Sequence, residues 1–154
     1  MLRAEFRKRG REEIRVESAG FIFPDRPSPS EAQRAAARRG QDLTRHRSRV
    51  IRSETVERAD VILVMSRQQQ LDVARKFGRT KGVLIIGDAD PGQPATRTIK
   101  DPIERPMAVF ESVYERLDRC CAAIAAVLSA QAHRAGGSGD ESGEARHPGG
   151  IARE

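Results

Sequence analysis

The fold is decided by Asp60-Val61-Ile62-Leu63-Val64-Met65, a continuous apolar run, together with a second run, Gly82-Val83-Leu84-Ile85-Ile86-Gly87-Asp88. Runs of this composition are typical of parallel strands that are buried on both faces of a sheet. Between them, residues 68–77 follow a helical pattern that Gly78 ends as a C-cap. A strand, a helix and a strand in this order predict an open parallel α/β sheet.

Upstream of this unit, the pattern predicts a further strand and three helices. Ile14-Arg15-Val16-Glu17-Ser18-Ala19-Gly20 alternates apolar and polar side chains, which predicts a short strand. Residues 21–29 contain three prolines and are therefore expected to form a loop. Residues 1–10 and 53–58 have helical patterns, and another helix is predicted to start at Ser30, to run through Ala35-Ala36-Ala37 and to be stopped by Gly40.

Downstream, one long terminal helix is predicted from Pro106 onward, because apolar side chains recur there at helical spacing. Cys120 and Cys121 lie on that apolar stripe and are expected to be core residues, since a thiolate is disfavoured late in a helix. Adjacent cysteines rarely form a disulfide. With no apolar signal segment or spanning run in the sequence, we expect a cytoplasmic protein without membrane association.

The 154 residues predict one domain, residues 1–131, followed by a disordered tail at 132–154 that is rich in glycine, serine and charge. The net charge is +6 and arginine dominates the basic residues. An arginine-rich surface suits phosphorylated or acidic partners, although a solvated basic face is the more common explanation. Nucleic-acid binding is disfavoured, because aromatic residues make up 4% of the chain and no recognition motif is present.

Ligands of open α/β sheets bind at the carboxyl ends of the strands. Three segments follow the three predicted strands, namely residues 18–20, residues 65–67 and the stretch from Asp88 to Asp101, and we expect them to share one crevice. Taken alone, Asp101 before Pro102 would most simply cap the helix that follows.

Several segments in combination resemble the low molecular weight protein tyrosine phosphatases. They are Glu17-Ser18-Ala19-Gly20, His46 within Leu43-Thr44-Arg45-His46-Arg47-Ser48-Arg49, the run at 60–65, Leu84-Ile85-Ile86-Gly87-Asp88-Ala89-Asp90-Pro91-Gly92, and Ile99-Lys100-Asp101-Pro102. The resemblance runs in order from residue 1 to about residue 130. It implies a three-layer, flavodoxin-like parallel sheet and hydrolysis of phosphomonoesters through a cysteinyl-phosphate. Phosphotyrosine proteins would be the substrates, and neither a cofactor nor a metal is implied.

The same resemblance implies roles for individual residues. Asp101 would be the general acid, which protonates the phenolic leaving group and then activates water. Ser18 and His46 would support a phosphate loop through hydrogen bonds, although turn chemistry or an ordinary surface position would also explain them. Phe21 and Phe23 would border the substrate, and a local core anchor is an equally good explanation.

The sequence departs from the family pattern at two places. The family signature, an N-terminal strand followed by Cys, five residues, Arg and Ser-Pro, is absent from the 154 residues, and residues 1–6 resemble those that follow Ser-Pro. In addition, Ile103 and Glu104 stand where many members place aromatic residues, so the resemblance does not specify tyrosine over other phosphomonoesters.

We therefore expect this chain to lack phosphatase activity as given, and we expect its sheet to lack the first central strand. That strand would lie between the predicted strands at 14–18 and 60–65, whose edges would be left unpaired. Either the start site is placed too late and the protein begins upstream, or the chain is a non-catalytic pseudophosphatase that binds phosphorylated or acidic partners.

Overall fold

The computed structural model describes the backbone of residues 1–136 and the side chains of residues 1–131. Most of the predicted disordered tail at 132–154 lies outside the described residues. The elements follow one another as α1 (Leu2–Lys8), α2 (Ser30–Ala37), α3 (Ser53–Arg58), β1 (Ile62–Val64), α4 (Arg67–Phe77), β2 (Val83–Ile85), a 3-10 turn (Ile86–Ala89) and α5 (Met107–Gly136).

The two strands form the parallel pair that the apolar runs predict. Ile62 lies opposite Val83, and Val64 lies opposite Ile85. Both strands are shorter than the runs that contain them, since the second run leaves the sheet after Ile85 and continues as the 3-10 turn. The α/β class and the parallel pairing are confirmed.

The predicted strand at residues 14–20 does not form. Residues 15–19 have no regular secondary structure, and only Gly20 makes a parallel bridge, with Val50. An alternating pattern becomes a strand only where a neighbour completes its ladder of hydrogen bonds. Within residues 1–136, no strand pairs with residues 15–19, so the strand prediction is wrong here.

Helices cover both faces of the strand pair. On one face, Val64, Val83 and Ile85 pack with Val73 of α4. On the other face, Leu63 and Met65 pack with a cluster that includes residues of the 3-10 turn and of α5. Two faces covered by helices make three layers, as expected from the resemblance to the phosphatase family.

Cys120 and Cys121 belong to the α5 side of this core, and both are free and buried. Burial raises the pKa of the Cys121 thiol to about 11. Since both side chains are buried in this cluster, the prediction that these cysteines are core residues is confirmed. The direction of the pKa shift also disfavours a reactive thiolate.

The helix ends follow local signals. The Ser66 hydroxyl accepts a hydrogen bond from the Gln69 amide at 3.2 Å and caps α4, which ends at Gly78 with a φ of 67°. A left-handed φ of this size favours glycine. The last helix, α5, extends through Gly136, beyond the predicted domain boundary at residue 131. None of the helices in residues 1–136 is both long and apolar enough to span a bilayer.

Candidate active site

The loop that carries Asp101 is attached to the carboxyl end of β1. We define the acid loop as residues 90–103, which connect the 3-10 turn toward α5. Its residue Ile99 donates a backbone hydrogen bond to the carbonyl oxygen of Met65 at 2.9 Å. The side chain of Ile99 is buried in the core beneath α5. The acid loop is therefore bound, two residues before Asp101, to the residue that directly follows β1.

Asp101 is exposed, and its own loop orients its carboxylate. The Oδ1 atom accepts a hydrogen bond from the Ile103 amide at 3.0 Å, a local turn that aspartate side chains commonly make. The other oxygen, Oδ2, has no hydrogen-bond partner among the described residues. Since α5 begins only at Met107, Asp101 does not cap that helix, and the capping explanation is wrong.

The electrostatics of Tyr114, on α5, involve both Arg39 and Asp101. Burial raises the pKa of the Tyr114 hydroxyl, the charge of Arg39 lowers it, and the charge of Asp101 raises it further. The Arg39 guanidinium lies 5.6 Å from the centroid of the Tyr114 ring. The charges of Arg39 and Asp101 thus act on the phenol in opposite directions.

A second loop, at residues 20–29, packs along residues 45–50. The Asp25 amide donates to the Ser48 carbonyl at 2.8 Å, and the Ser48 amide donates to the Arg26 carbonyl at 2.9 Å. The Ser48 hydroxyl also donates to the carbonyl of Phe23 at 2.5 Å. These bonds join the segment that contains Phe21 and Phe23 to the segment that contains His46.

Sequence reasoning missed the role of Ser48. Phe23 has a φ of 53°, a left-handed conformation that is uncommon for a bulky residue. The hydroxyl of Ser48 holds the carbonyl at this position. A serine between two arginines carries no sequence signal for such a contact, because its partner lies far away along the chain.

The two phenylalanines of this loop lie in different environments. Phe21 is partly buried and packs against the core cluster that contains Val64, whereas Phe23 is 63% exposed. Ile22 and Ile103 are exposed as well. The structure therefore anchors the loop through Phe21 and leaves Phe23 accessible, while the substrate-bordering role of both stays a prediction.

Ser18 and His46 are exposed, and neither side chain makes a hydrogen bond to another described residue. His46 lies in a turn closed by a bond from its amide to the Leu43 carbonyl at 3.1 Å. No hydrogen bond within residues 1–131 joins Ser18 or His46 to Asp101. Their role in supporting a phosphate loop stays a prediction.

A buried carboxylate that sequence reasoning did not single out lies at the start of the acid loop. The Asp90 side chain has no exposed surface, and it accepts bonds from Arg116 Nε at 3.0 Å, Arg119 Nε at 3.1 Å and the Gly92 amide at 3.1 Å. The bonds from Arg119 hold the pKa of Asp90 below its usual value, although burial acts in the opposite direction. Arg116 and Arg119, three residues apart, predict a shared helix face, but this spacing does not identify the carboxylate that they bind.

A basic groove lies beside α1, with a volume of about 610 Å³. It runs between α1 and residues 11–17. Its charged lining consists of five arginines and three glutamates, namely Arg3, Arg7, Arg11, Arg15, Arg49, Glu12, Glu13 and Glu17. Arg3 donates to the Val16 carbonyl at 2.6 Å, and Arg15 pairs with Glu17 at 2.5 Å. We name this feature the basic groove.

Comparison with known proteins gives the same family as the sequence motifs. A family model described as low molecular weight phosphotyrosine protein phosphatase matches residues 1–134. The probable low molecular weight protein-tyrosine-phosphatase EpsP of Ralstonia solanacearum is 30% identical over 108 residues. Those residues are 69% of this chain and 71% of the relative.

Solved structures share the fold at lower sequence identity. A protein tyrosine phosphatase from Entamoeba histolytica superposes with a TM-score of 0.77 at 16% identity, covering 85% of this chain and 86% of that one. The YwlE arginine phosphatase from Geobacillus stearothermophilus gives 0.74 at 18% identity, covering 86% of each chain. The structural likeness confirms the fold, and the match over residues 1–134 shows that this chain belongs to the low molecular weight phosphotyrosine protein phosphatase family.

Proposed function

We propose that this chain provides the general-acid part of a phosphatase site that acts on phosphotyrosine proteins, with Asp101 as the acid. The observation that carries the proposal is the placement of Asp101. Its carboxylate is exposed, is oriented by Ile103, and lies on a loop attached to the carboxyl end of β1. A phenolate leaving group has a conjugate-acid pKa of about 10, so a positioned proton donor contributes about 10²- to 10⁴-fold to the rate.

In the proposed reaction Asp101 acts twice. As a thiolate bonds to phosphorus and the bond to the phenolic oxygen breaks, the Asp101 carboxyl gives its proton to that oxygen. In the second step, the Asp101 carboxylate takes a proton from the water that attacks phosphorus, and the thiolate is released. Both steps need the nucleophile of the family signature.

That nucleophile has no counterpart among the cysteines of this sequence. Cys120 and Cys121 are the two cysteines, neither is followed by five residues and an arginine, and both are buried on α5. We therefore propose that the 154-residue chain by itself does not hydrolyse aryl phosphates. An acid cannot replace a nucleophile and the donors that stabilise the transferring phosphoryl group.

The test has two stages, both measured as release of phenol from an aryl phosphate. The 154-residue chain should show no turnover above background. A chimera in which the family signature, a strand followed by Cys, five residues, Arg and Ser-Pro, is placed before Met1 should show turnover. In that chimera, Asp101→Asn should lower kcat/KM by about 10²-fold or more.

Glu104→Gln is the matched control, because it neutralises another exposed carboxylate of the same loop region. Its kcat/KM should equal that of the unsubstituted chimera. If the two amide variants behave alike, Asp101 is not the acid. Turnover by the chain without the added segment, abolished by Asp101→Asn, would overturn the proposed inactivity.

We infer aryl phosphates as the substrate class because Ile22 and Phe23 offer exposed apolar surface on the loop that would border the substrate. One structural neighbour is an arginine phosphatase, so phosphoarginine is the informative competitor. The chimera should have the higher kcat/KM on a phosphotyrosine peptide. A higher value on phosphoarginine would contradict the inferred substrate class.

A second candidate function, binding of phosphorylated or acidic partners without catalysis, is favoured by the basic groove. Arg7 and Arg49 line this groove and pair with no carboxylate among the described residues. Guanidinium groups bind phosphate in a bidentate manner. A phosphotyrosine peptide should bind the 154-residue chain, and Arg7→Glu with Arg49→Glu should abolish this binding.

The matched control for the groove is Arg75→Glu with Lys76→Glu, which likewise reverses two exposed charges, on α4. It should leave peptide binding unchanged. Equal loss in the control and in the groove variant would indicate attraction to the net charge of the chain. No binding by the unsubstituted chain would exclude this second function.

We also propose a cytoplasmic location. Cys120 and Cys121 are free and buried, which suits a reducing compartment. Cell fractionation with an antibody to the chain tests this, and recovery in a secreted or membrane fraction would contradict it.

A further inference from the structure

One arginine of α5 bonds the acid loop at three points. Arg116 donates from Nε to the Asp90 carboxylate at 3.0 Å, from Nη1 to the Thr98 carbonyl at 3.0 Å and from Nη2 to the Thr96 carbonyl at 2.6 Å. Its side chain is only 14% exposed. A planar guanidinium has donors in a fixed fork, so these three acceptors are held in one mutual arrangement.

The neighbouring arginine shares the carboxylate but not the loop backbone. Arg119 donates from Nε and Nη2 to Asp90, at 3.1 and 3.3 Å, and its side chain is 49% exposed. No hydrogen bond from Arg119 to residues 96–98 is present in the described structure. The two residues are thus a natural pair of variant and control.

The segment from Thr98, whose carbonyl Arg116 binds, to Asp101 is short and constrained. Thr98, whose carbonyl Arg116 holds, precedes Ile99, which is buried and bonds Met65. On its other side, the loop lies directly on the 3-10 turn. A Cβ atom added to Gly87 would lie 1.9 Å from the Arg97 carbonyl oxygen, so the backbone has no room to move toward the turn.

We propose that Arg116 is a positioning residue for the general acid. By its hydrogen bonds Arg116 holds residues 96–98, so that Asp101 lies at the carboxyl end of β1. The proposal rests on the proposed function of Asp101. Asp90 neutralises the buried guanidinium, which would otherwise be costly to bury. Lysine cannot replace Arg116, because an ammonium group is a compact charge that does not span the three acceptors.

The first test measures hydrogen exchange of the Ile99 amide in the 154-residue chain. Arg116→Lys keeps a positive charge beside Asp90 and loses the forked contact to Thr96 and Thr98. Exchange at Ile99 should become about tenfold faster, because local opening of the loop becomes easier. Arg119→Lys should leave exchange unchanged. Equal rates in both variants, whether raised or not, would overturn the proposal.

The second test uses the phosphatase chimera described above and compares two leaving groups. Arg116→Lys should lower kcat/KM more for phenyl phosphate than for an aryl phosphate whose phenol is more acidic, because the poorer leaving group depends more on the acid. Adding Arg116→Lys to Asp101→Asn should cause no further loss. Additive losses would show that Arg116 acts independently of the acid.

The two tests separate the inference from the proposed function. If Asp101→Asn leaves the chimera's activity unchanged, the proposed function fails, and the positioning role falls with it. If Asp101→Asn lowers activity but Arg116→Lys gives equal losses for both leaving groups, the inference alone fails.

Discussion

The acid loop and the extended segment at residues 14–19 are both largely irregular, but they are held in opposite ways. The acid loop is joined to α5 through the buried Asp90 carboxylate and to β1 through Ile99. The extended segment has the surface pair of Arg15 with Glu17 and the bond from Arg3 to the Val16 carbonyl. The acid loop is therefore fixed by a buried carboxylate and a backbone hydrogen bond, and the extended segment mainly by contacts at the surface.

This comparison shows that partners, rather than local pattern, decide which segment is joined to the core by hydrogen bonds. The extended segment has the clearer strand pattern, and yet it forms no ladder. The acid loop has no pattern, and yet the Arg116 guanidinium donates to two of its carbonyl groups, those of Thr96 and Thr98. Buried backbone groups must be paired, and a guanidinium can meet that need in place of a neighbouring strand.

The largest difference in stability between the two regions is expected when a methyl group is added beneath the acid loop. Gly87→Ala would place a Cβ atom 1.9 Å from the Arg97 carbonyl oxygen and 3.0 Å from Nη2 of Arg116. Overpacking against backbone should lower the free energy of unfolding by about 3 kcal/mol. Denaturant unfolding measures this change.

The control lies at the end of the extended segment. A Cβ atom added to Gly20 meets only the Ile22 carbonyl oxygen, at 3.8 Å, which is an ordinary contact. Gly20→Ala should therefore change the free energy of unfolding by no more than about 0.5 kcal/mol. Equal costs for the two glycine substitutions would contradict the difference between the regions.

A smaller effect is expected from neutralising the buried carboxylate. Asp90→Asn should cost about 2 kcal/mol at neutral pH, because charge-assisted hydrogen bonds from Arg116 and Arg119 are weakened. Glu17→Gln, the matched change in the extended segment, should cost no more than about 0.5 kcal/mol. Thermal unfolding at pH 7 compares the two.

The stability cost of Asp90→Asn should depend on pH. Hydrogen bonds from Arg119 lower the pKa of Asp90 in the folded chain. Its contribution to stability is therefore fully present above the unfolded value of about 4 and is lost as the pH falls through the lower folded pKa. The Tm difference between the unsubstituted chain and Asp90→Asn should shrink below about pH 4. A constant difference down to pH 2 would refute the assignment.

The smallest effect is expected from a proline in the extended segment. Glu17→Pro removes an amide that forms no ladder bond within the described residues, together with one surface ion pair. The cost should be about 0.5 kcal/mol. Leu84→Pro, inside the pairing of β1 with β2, should cost about 2 kcal/mol or more. A large cost for Glu17→Pro would indicate that residues 14–19 form a ladder in solution.

Sequence patterns predicted the elements whose signals are local. The helix α4 was expected from its periodicity and from Gly78, and the structure places its end at that glycine. The strands β1 and β2 lie within the predicted apolar runs. These features depend on neighbours along the chain, so a pattern of a few residues suffices to predict them.

The candidate site was predicted less completely. Asp101 was identified through the family motif around it, whereas Asp90 and Arg116 were not singled out, although they hold the loop that carries it. Their contact joins residues 26 positions apart. No periodicity links a carboxylate in a loop with one particular arginine among the many on the surface.

The amino-acid sequence by itself determined the α/β class, the helices, the buried strand pair and the family of this protein. Only the tertiary structure decided that residues 14–19 stay outside a ladder and that Arg116 ties the acid loop to α5. The reason is physical. Helix and turn signals act over a few residues, whereas strand pairing and the burial of charge require partners that only the folded chain brings together.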